Sequence, residues 1–168
     1  MGMAEAVIGG FQPELLTDPC AFLLAEHGRH RAMLGHLERM ARLQHGPARP
    51  AVARVLVSWL ACELPLHLAD EAQSLMPRLA AAAPALAIRL DAEEAGLSDL
   101  RQKTREVLVP VAAGRPPGED FAATALAFVQ LYRQRLATEE AELLPMARRL
   151  LDAPACQAIA TEMRQRRS

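Results

Sequence analysis

The chain has 168 residues and a formal net charge of −1, which fits one compact domain long enough to bury a core. Apolar residues make up 51% and aromatics 4%, with Ala, Leu, Arg and Glu prominent, a balance that favours helix over strand. Near-neutral charge gives no basis for nucleic acid or an anionic membrane as partner, and three scattered cysteines without a Cys-x-x-Cys pair argue against a thiolate zinc site or a disulfide framework.

The opening residues carry no basic stretch followed by an apolar run and a cleavage site. No segment approaches about 18 uninterrupted apolar residues. The expected location is therefore the cytoplasm, off the membrane. Residues 1–17 read as an N-terminal extension and residues 18–168 as the domain.

Thr17-Asp18-Pro19 reads as a cap with proline in the first turn, opening a helix to about His45. Gly46 to Pro50 is the first loop. A second helix runs from about Ala51 to Ala82 and carries Pro65 and Pro77 inside it, where bends are expected. Pro84 starts a third helix ending near Ala113, and Gly114-Arg-Pro-Pro-Gly118 is the clearest loop. A fourth helix follows from about Glu119 to Leu151. Asp152-Ala-Pro154 caps a short fifth helix, Ala155 to Arg164, which either covers one end of the molecule or forms a dimer contact. Helices of roughly 28 residues are about 42 Å long. Four of them joined by short loops make an all-α, up-down-up-down antiparallel four-helix bundle with a short C-terminal helix.

The second and fourth helices repeat one pattern. His67-Leu-Ala-Asp-Glu71-Ala-Gln-Ser-Leu75-Met-Pro77 lies over Arg135-Leu-Ala-Thr-Glu139-Glu-Ala-Glu-Leu143-Leu-Pro145 without a gap. More weakly, Ala25-Glu26-His27 in the first helix faces Ala92-Glu93-Glu94 in the third. A helix pair used twice implies approximate two-fold symmetry, with any central site built from four helices in matched pairs. His67 and Glu71 are four residues apart and share a helix face, as do Arg135 and Glu139. The candidate inner set is therefore His27, His67, Glu71, Glu94, Arg135 and Glu139.

Imidazole and carboxylate together suit iron, manganese or zinc, and glutamates from opposed helices bridge two cations or clamp one. These segments resemble the hemerythrin-like (HHE cation-binding) family, from about Pro19 to the C-terminus. The resemblance implies a four-helix bundle around a non-haem di-iron centre used for oxygen binding, oxygen or iron sensing, or repair of nitrosative damage. It assigns His27 and His67 to one metal and makes Glu71 and Glu139 the bridges.

The sequence departs from the family at the second metal. Glu94 and Ser98 stand where the third helix normally carries histidine, and Arg135 stands where the fourth does. A guanidinium cannot ligate a cation. Buried Glu71, Glu94 and Glu139 would repel one another unless neutralised, so Arg135 is expected to fork between them as a surrogate for the second metal. The surviving His27, His67, Glu71 and Glu139 would hold one non-haem iron or other divalent ion, or none.

A binding or sensing module, with a metal ion and O2 or NO as partners, is thus favoured over an enzyme, and a homo-oligomer is left open. The alternatives are a metal-free structural or interaction bundle and a ferritin-like di-iron carboxylate oxidase. The latter class uses Glu-x-x-His, a spacing absent from this sequence. Of the remaining residues, His30, His36 and His45 read as solvated neighbours, although His30 is one turn from His27 and could be a spare ligand. Met33, Met40, Met76 and Met146 read as core filler. Cys62 reads as a small buried hydrophobe, and Arg164, Arg166 and Arg167 as a helix C-cap rather than a polyanion site.

Overall fold

The computed structural model describes residues 16–43 and 49–168, and all of their regular structure is helical. Helix α1 spans Pro19–Arg42, with Asp18 accepting a hydrogen bond from Ala21 N–H at 3.0 Å, so the expected cap forms. The expected end of this helix at His45 and the first loop fall largely on residues 44–48, outside the described residues. Helix α2 spans Arg49–Leu79 and α3 spans Pro84–Ala112. Helix α4 covers 121–150, and α5 spans Ala153–Gln165, capped by Asp152 through a 2.9 Å bond to Ala155 N–H. Gly114 ends α3 at φ +80, a conformation that lets Arg115 N–H reach back to Pro110 O.

The four long helices form a closed ring: α1 packs on α2 and α4, and α3 packs on the same two. Helix α2, with 31 residues, is long and apolar enough by length and composition to cross a bilayer. Its core face carries Leu56, Trp59, Leu60 and Leu64, and then the buried His67, Asp70 and Glu71.

Three of the internal prolines, in α2 and α4, are accommodated by widened turns. A proline ring clashes with the carbonyl four residues back and cannot donate a hydrogen bond. Pro65, Pro77 and Pro145 each follow a π turn, at Trp59–Glu63, Glu71–Leu75 and Glu139–Leu143. In these turns Leu64, Met76 and Leu144 donate to carbonyls five residues back, Trp59 O, Glu71 O and Glu139 O. The expected bends at Pro65 and Pro77 thus take the form of π turns. The repeat seen in the sequence carries into the backbone, because two of these turns begin on the paired glutamates.

The core is in two parts. One apolar cluster holds Met33, Leu37, Trp59, Leu64, Phe128 and Tyr132 among others. The second holds Phe22, Leu23, Leu75, Leu79, Leu90 and Leu143, and is closed by Ile159 and Met163 from α5. The C-terminal helix therefore covers that end of the bundle. Full burial of each such side chain stabilises the fold by about 1.5–3 kcal/mol, enough to carry a polar layer between the two clusters. Met33 and Met40 are core residues as expected, with Met76 and Met146 packed against it. Cys62 is exposed, which corrects the expectation of a buried thiol, because the π turn at Trp59–Glu63 turns Trp59 and Leu60 inward instead.

Candidate metal centre

His27 on α1, His67 and Glu71 on α2, and Glu139 on α4 meet in the layer between the apolar clusters, and all four are buried. One donor atom from each lies within 4.8 Å of the others. Ligands at about 2.1 Å from one ion are at most about 4.2 Å apart, so the set is close to the size of a single coordination shell. His27 Nε2 is 3.3 Å from Glu139 Oε2 and 3.8 Å from Glu71 Oε1, and His67 Nε2 is 3.3 Å from Glu71 Oε1.

These short distances are not hydrogen bonds. His27 Nε2, His67 Nε2, both Glu71 oxygens and Glu139 Oε2 are buried with no hydrogen-bond partner. Buried polar atoms are nearly always satisfied, and leaving one unmade costs about 1–3 kcal/mol. With one donor atom from each of the four residues drawn together, such a set fits a cation that accepts their lone pairs. The donor set, two imidazoles and two carboxylates, suits a borderline divalent ion.

Each imidazole is oriented from behind. His67 Nδ1 lies 2.9 Å from Glu26 Oε2, and Glu26 in turn meets Arg167 Nη2 at 3.4 Å. His27 Nδ1 lies 3.1 Å from Glu140 Oε1, and Glu140 pairs with Arg31. A carboxylate on Nδ1 fixes the tautomer that leaves Nε2 free to ligate.

The buried ionisable groups of this layer shift one another's pKa. Burial alone would lower the pKa of His27, but its contacts with Glu139 and Glu71 bring it up to about 9. His67 is likewise held well above the usual range, the carboxylates of Glu71 and Glu26 outweighing burial. Glu71 is held well below the carboxylate range despite burial, chiefly by His67. Glu139 is pushed up by burial and by the neighbouring Glu71 charge.

Arg135 borders the layer on the side of α3. Its Nε donates to Glu139 Oε1 and its Nη1 to Leu90 O at 2.8 Å, while Nη2 is 3.7 Å from Glu71 Oε2 and 3.9 Å from Glu94 Oε2. The guanidinium is 7% exposed and Glu94 35%, so Glu94 sits at the rim, outside the four-residue cluster.

Two sequence readings are corrected. His30 is buried, not solvated, with Nδ1 2.7 Å from the Tyr132 hydroxyl and its ring 4.6 Å from that of His67. Three residues after His27, it lies near the same helix face, and the packing of Tyr132 and His67 against it shows that this face turns inward there. Glu140 also reaches His27 from outside the cluster, because the two ring nitrogens face opposite ways, Nε2 to Glu139 and Nδ1 to Glu140. Arg166 and Arg167 do more than cap a helix: Arg167 does donate to Met163 O at 3.0 Å, but both arginines also pair with the buried Asp70 at 2.7 Å.

Glu26, Asp70, Tyr132 and the Arg167 contact went unrecognised. The only sequence signal was the Glu26-His27 adjacency. No match to a curated protein is found. Residues 18–147 match the hemerythrin HHE cation-binding domain. That match spans most of the sequence, including His27, His67, Glu71 and Glu139, and the chain belongs to the hemerythrin HHE cation-binding domain family.

Proposed function

We propose that this hemerythrin domain binds a single non-haem metal, iron foremost, and serves as a metal-binding or sensing protein rather than a di-iron oxygen carrier or oxidase. The observation that carries the reading is the convergence of four buried donor atoms, one each from His27, His67, Glu71 and Glu139, in a layer where His27 Nε2, His67 Nε2, the Glu71 oxygens and Glu139 Oε2 have no hydrogen-bond partner. These four would hold the ion, and Glu26 and Glu140 would orient the two imidazoles. When bound, iron would supply a redox-active Lewis-acid centre able to respond to O2 or NO.

Arg135 is the residue assigned to the second metal's place. Its guanidinium touches Glu139 and lies under 4 Å from both Glu71 and Glu94, where its fixed positive charge opposes a second cation. Burial would lower its pKa, but Glu139 and Glu71 hold it above the ordinary arginine value, so the charge persists. The charges also close: one divalent ion replaces the two imidazolium protons, and Arg135 offsets Glu94.

The combined variant Arg135→His with Glu94→His tests this assignment. Loaded with iron, it is expected to take up a second metal and develop a coloured di-iron absorption that the parent lacks. A double variant holding no more iron than its parent overturns the role given to Arg135. One observation favours the metal-free reading, namely that Arg135 and the two imidazoles already neutralise the carboxylates without an ion. That reading predicts no uptake by either protein.

A further inference from the structure

The two histidine relays differ in one respect. His27 is backed by Glu140 and Arg31, and Arg31 is 41% exposed. His67 is backed by Glu26 and Arg167, and Arg167 is 7% exposed. Arg167 lies beyond the C-terminal end of α5, outside the family match, which stops at residue 147.

Arg167 is fixed on every side. Nη1 donates to Met163 O at 3.0 Å, Nη2 pairs with Asp70 Oδ2 at 2.7 Å and donates to Glu26 Oε1 at 3.4 Å, and the guanidinium stacks over Phe22 with 5.0 Å to the ring centroid. Asp70 is fully buried beside the ligand Glu71 and takes a second cation, Arg166, at 2.7 Å. Arg166 reaches Ser74 and Gln73 besides Asp70, but no contact with Glu26 is seen. Among the described residues, Arg167 therefore links the C-terminal segment to the carboxylate behind His67.

We infer that Arg167 is a positioning residue of the metal centre: it holds Glu26 in the rotamer that orients the His67 imidazole, so the segment after α5 tunes metal affinity. Glu26 is one-fifth exposed and would otherwise be free to swing to solvent. A paired, desolvated guanidinium costs Glu26 that freedom. This inference rests on the metal-binding reading above, but its chemistry lies wholly in the chain's own residues.

The test is a set of Co2+ titrations, with visible absorption as the readout, on the full chain and on R167Q, R166Q, E26Q and R167Q/E26Q. Helix content and melting temperature are recorded alongside. Loss of a group behind a ligating histidine typically costs 10–100-fold in affinity. R167Q acts at one remove and is expected to weaken Co2+ binding by about tenfold, near the low end of that range. R166Q should cost far less. Once Glu26 is neutral, R167Q should add under about twofold. Equal losses for R166Q and R167Q, or an undiminished R167Q effect in the E26Q background, overturn the inference and reduce Arg167 to a helix anchor.

A second readout needs no metal. The His67 Nδ1–H proton resonance should be visible in the parent and R166Q and lost to solvent exchange in R167Q. R167K, which keeps the charge if R167Q fails to fold, should retain it in part. If the parent takes up no Co2+, the metal reading falls while this signal still decides the Arg167 role, and a resonance unchanged in R167Q counts against it.

Discussion

Replacing Arg135 by Met keeps the aliphatic stem and removes the guanidinium from between Glu139, Glu71 and Glu94. Two unit charges about 4 Å apart interact by about 4 kcal/mol at an effective dielectric near 20. Glu139 is in direct contact and Glu71 is 3.7 Å away, both essentially without solvent. Glu94, at 3.9 Å, is a third exposed and largely screened, so it adds little. Removing one partner of a buried pair costs about 3–5 kcal/mol. Because His27 and His67 already offset part of the carboxylate charge, the lower end of that range, about 3 kcal/mol, is expected. In a domain of this size that is a fall in melting temperature of about 6–12 °C. The assay is urea and thermal denaturation of the metal-free parent and Arg135→Met in the presence of chelator. Saturating Zn2+ should narrow the gap, since a cation bound to the native state restores the missing charge by mass action. Metal-free stabilities within about 1 kcal/mol of each other would refute an electrostatic role for Arg135.

Other outcomes follow from the same charges. Because the folded pKa of His27 is raised from 6.5 to about 9, its contribution to metal-free stability is fully present below pH 6.5 and is lost as pH rises through 9. The loss is about 3 kcal/mol, read from urea midpoints across that range, and a flat profile contradicts it. Metal uptake at neutral pH should release close to two protons per ion, about one from each imidazole, measured with an indicator dye in weak buffer. Release of none would mean that the imidazoles do not ligate. Tyr132→Phe removes the hydroxyl at 2.7 Å from His30 Nδ1 and leaves that nitrogen buried. It should cost about 1–3 kcal/mol in denaturation experiments while leaving metal content unchanged, and a loss of metal would show that the Tyr132–His30 pair belongs to the centre.

The helices were legible because their punctuation is local. Asp18 and Asp152 cap where they stand, and Gly114 closes α3 through a backbone bond a few residues away. The ligand set was legible because spacing fixes a helix face and the repeat selects which face points inward. Glu26, Glu140 and Arg167 were not, since their partners lie 41, 113 and 141 residues away and periodicity carries no trace of such pairs. His30 stood at the right spacing from His27, but only the packing of Tyr132 against it shows that the inward face extends that far. The π turns escaped for a related reason. Proline predicts that a helix must give way, but whether it bends or widens depends on what the neighbouring carbonyls meet.

Elemental analysis of protein produced with iron supplied and purified without chelator tests the central claim most directly. The account predicts close to one metal ion per chain, lost together with the fit in His67→Ala. Two ions per chain would contradict the place given to Arg135, and none would contradict the metal centre itself.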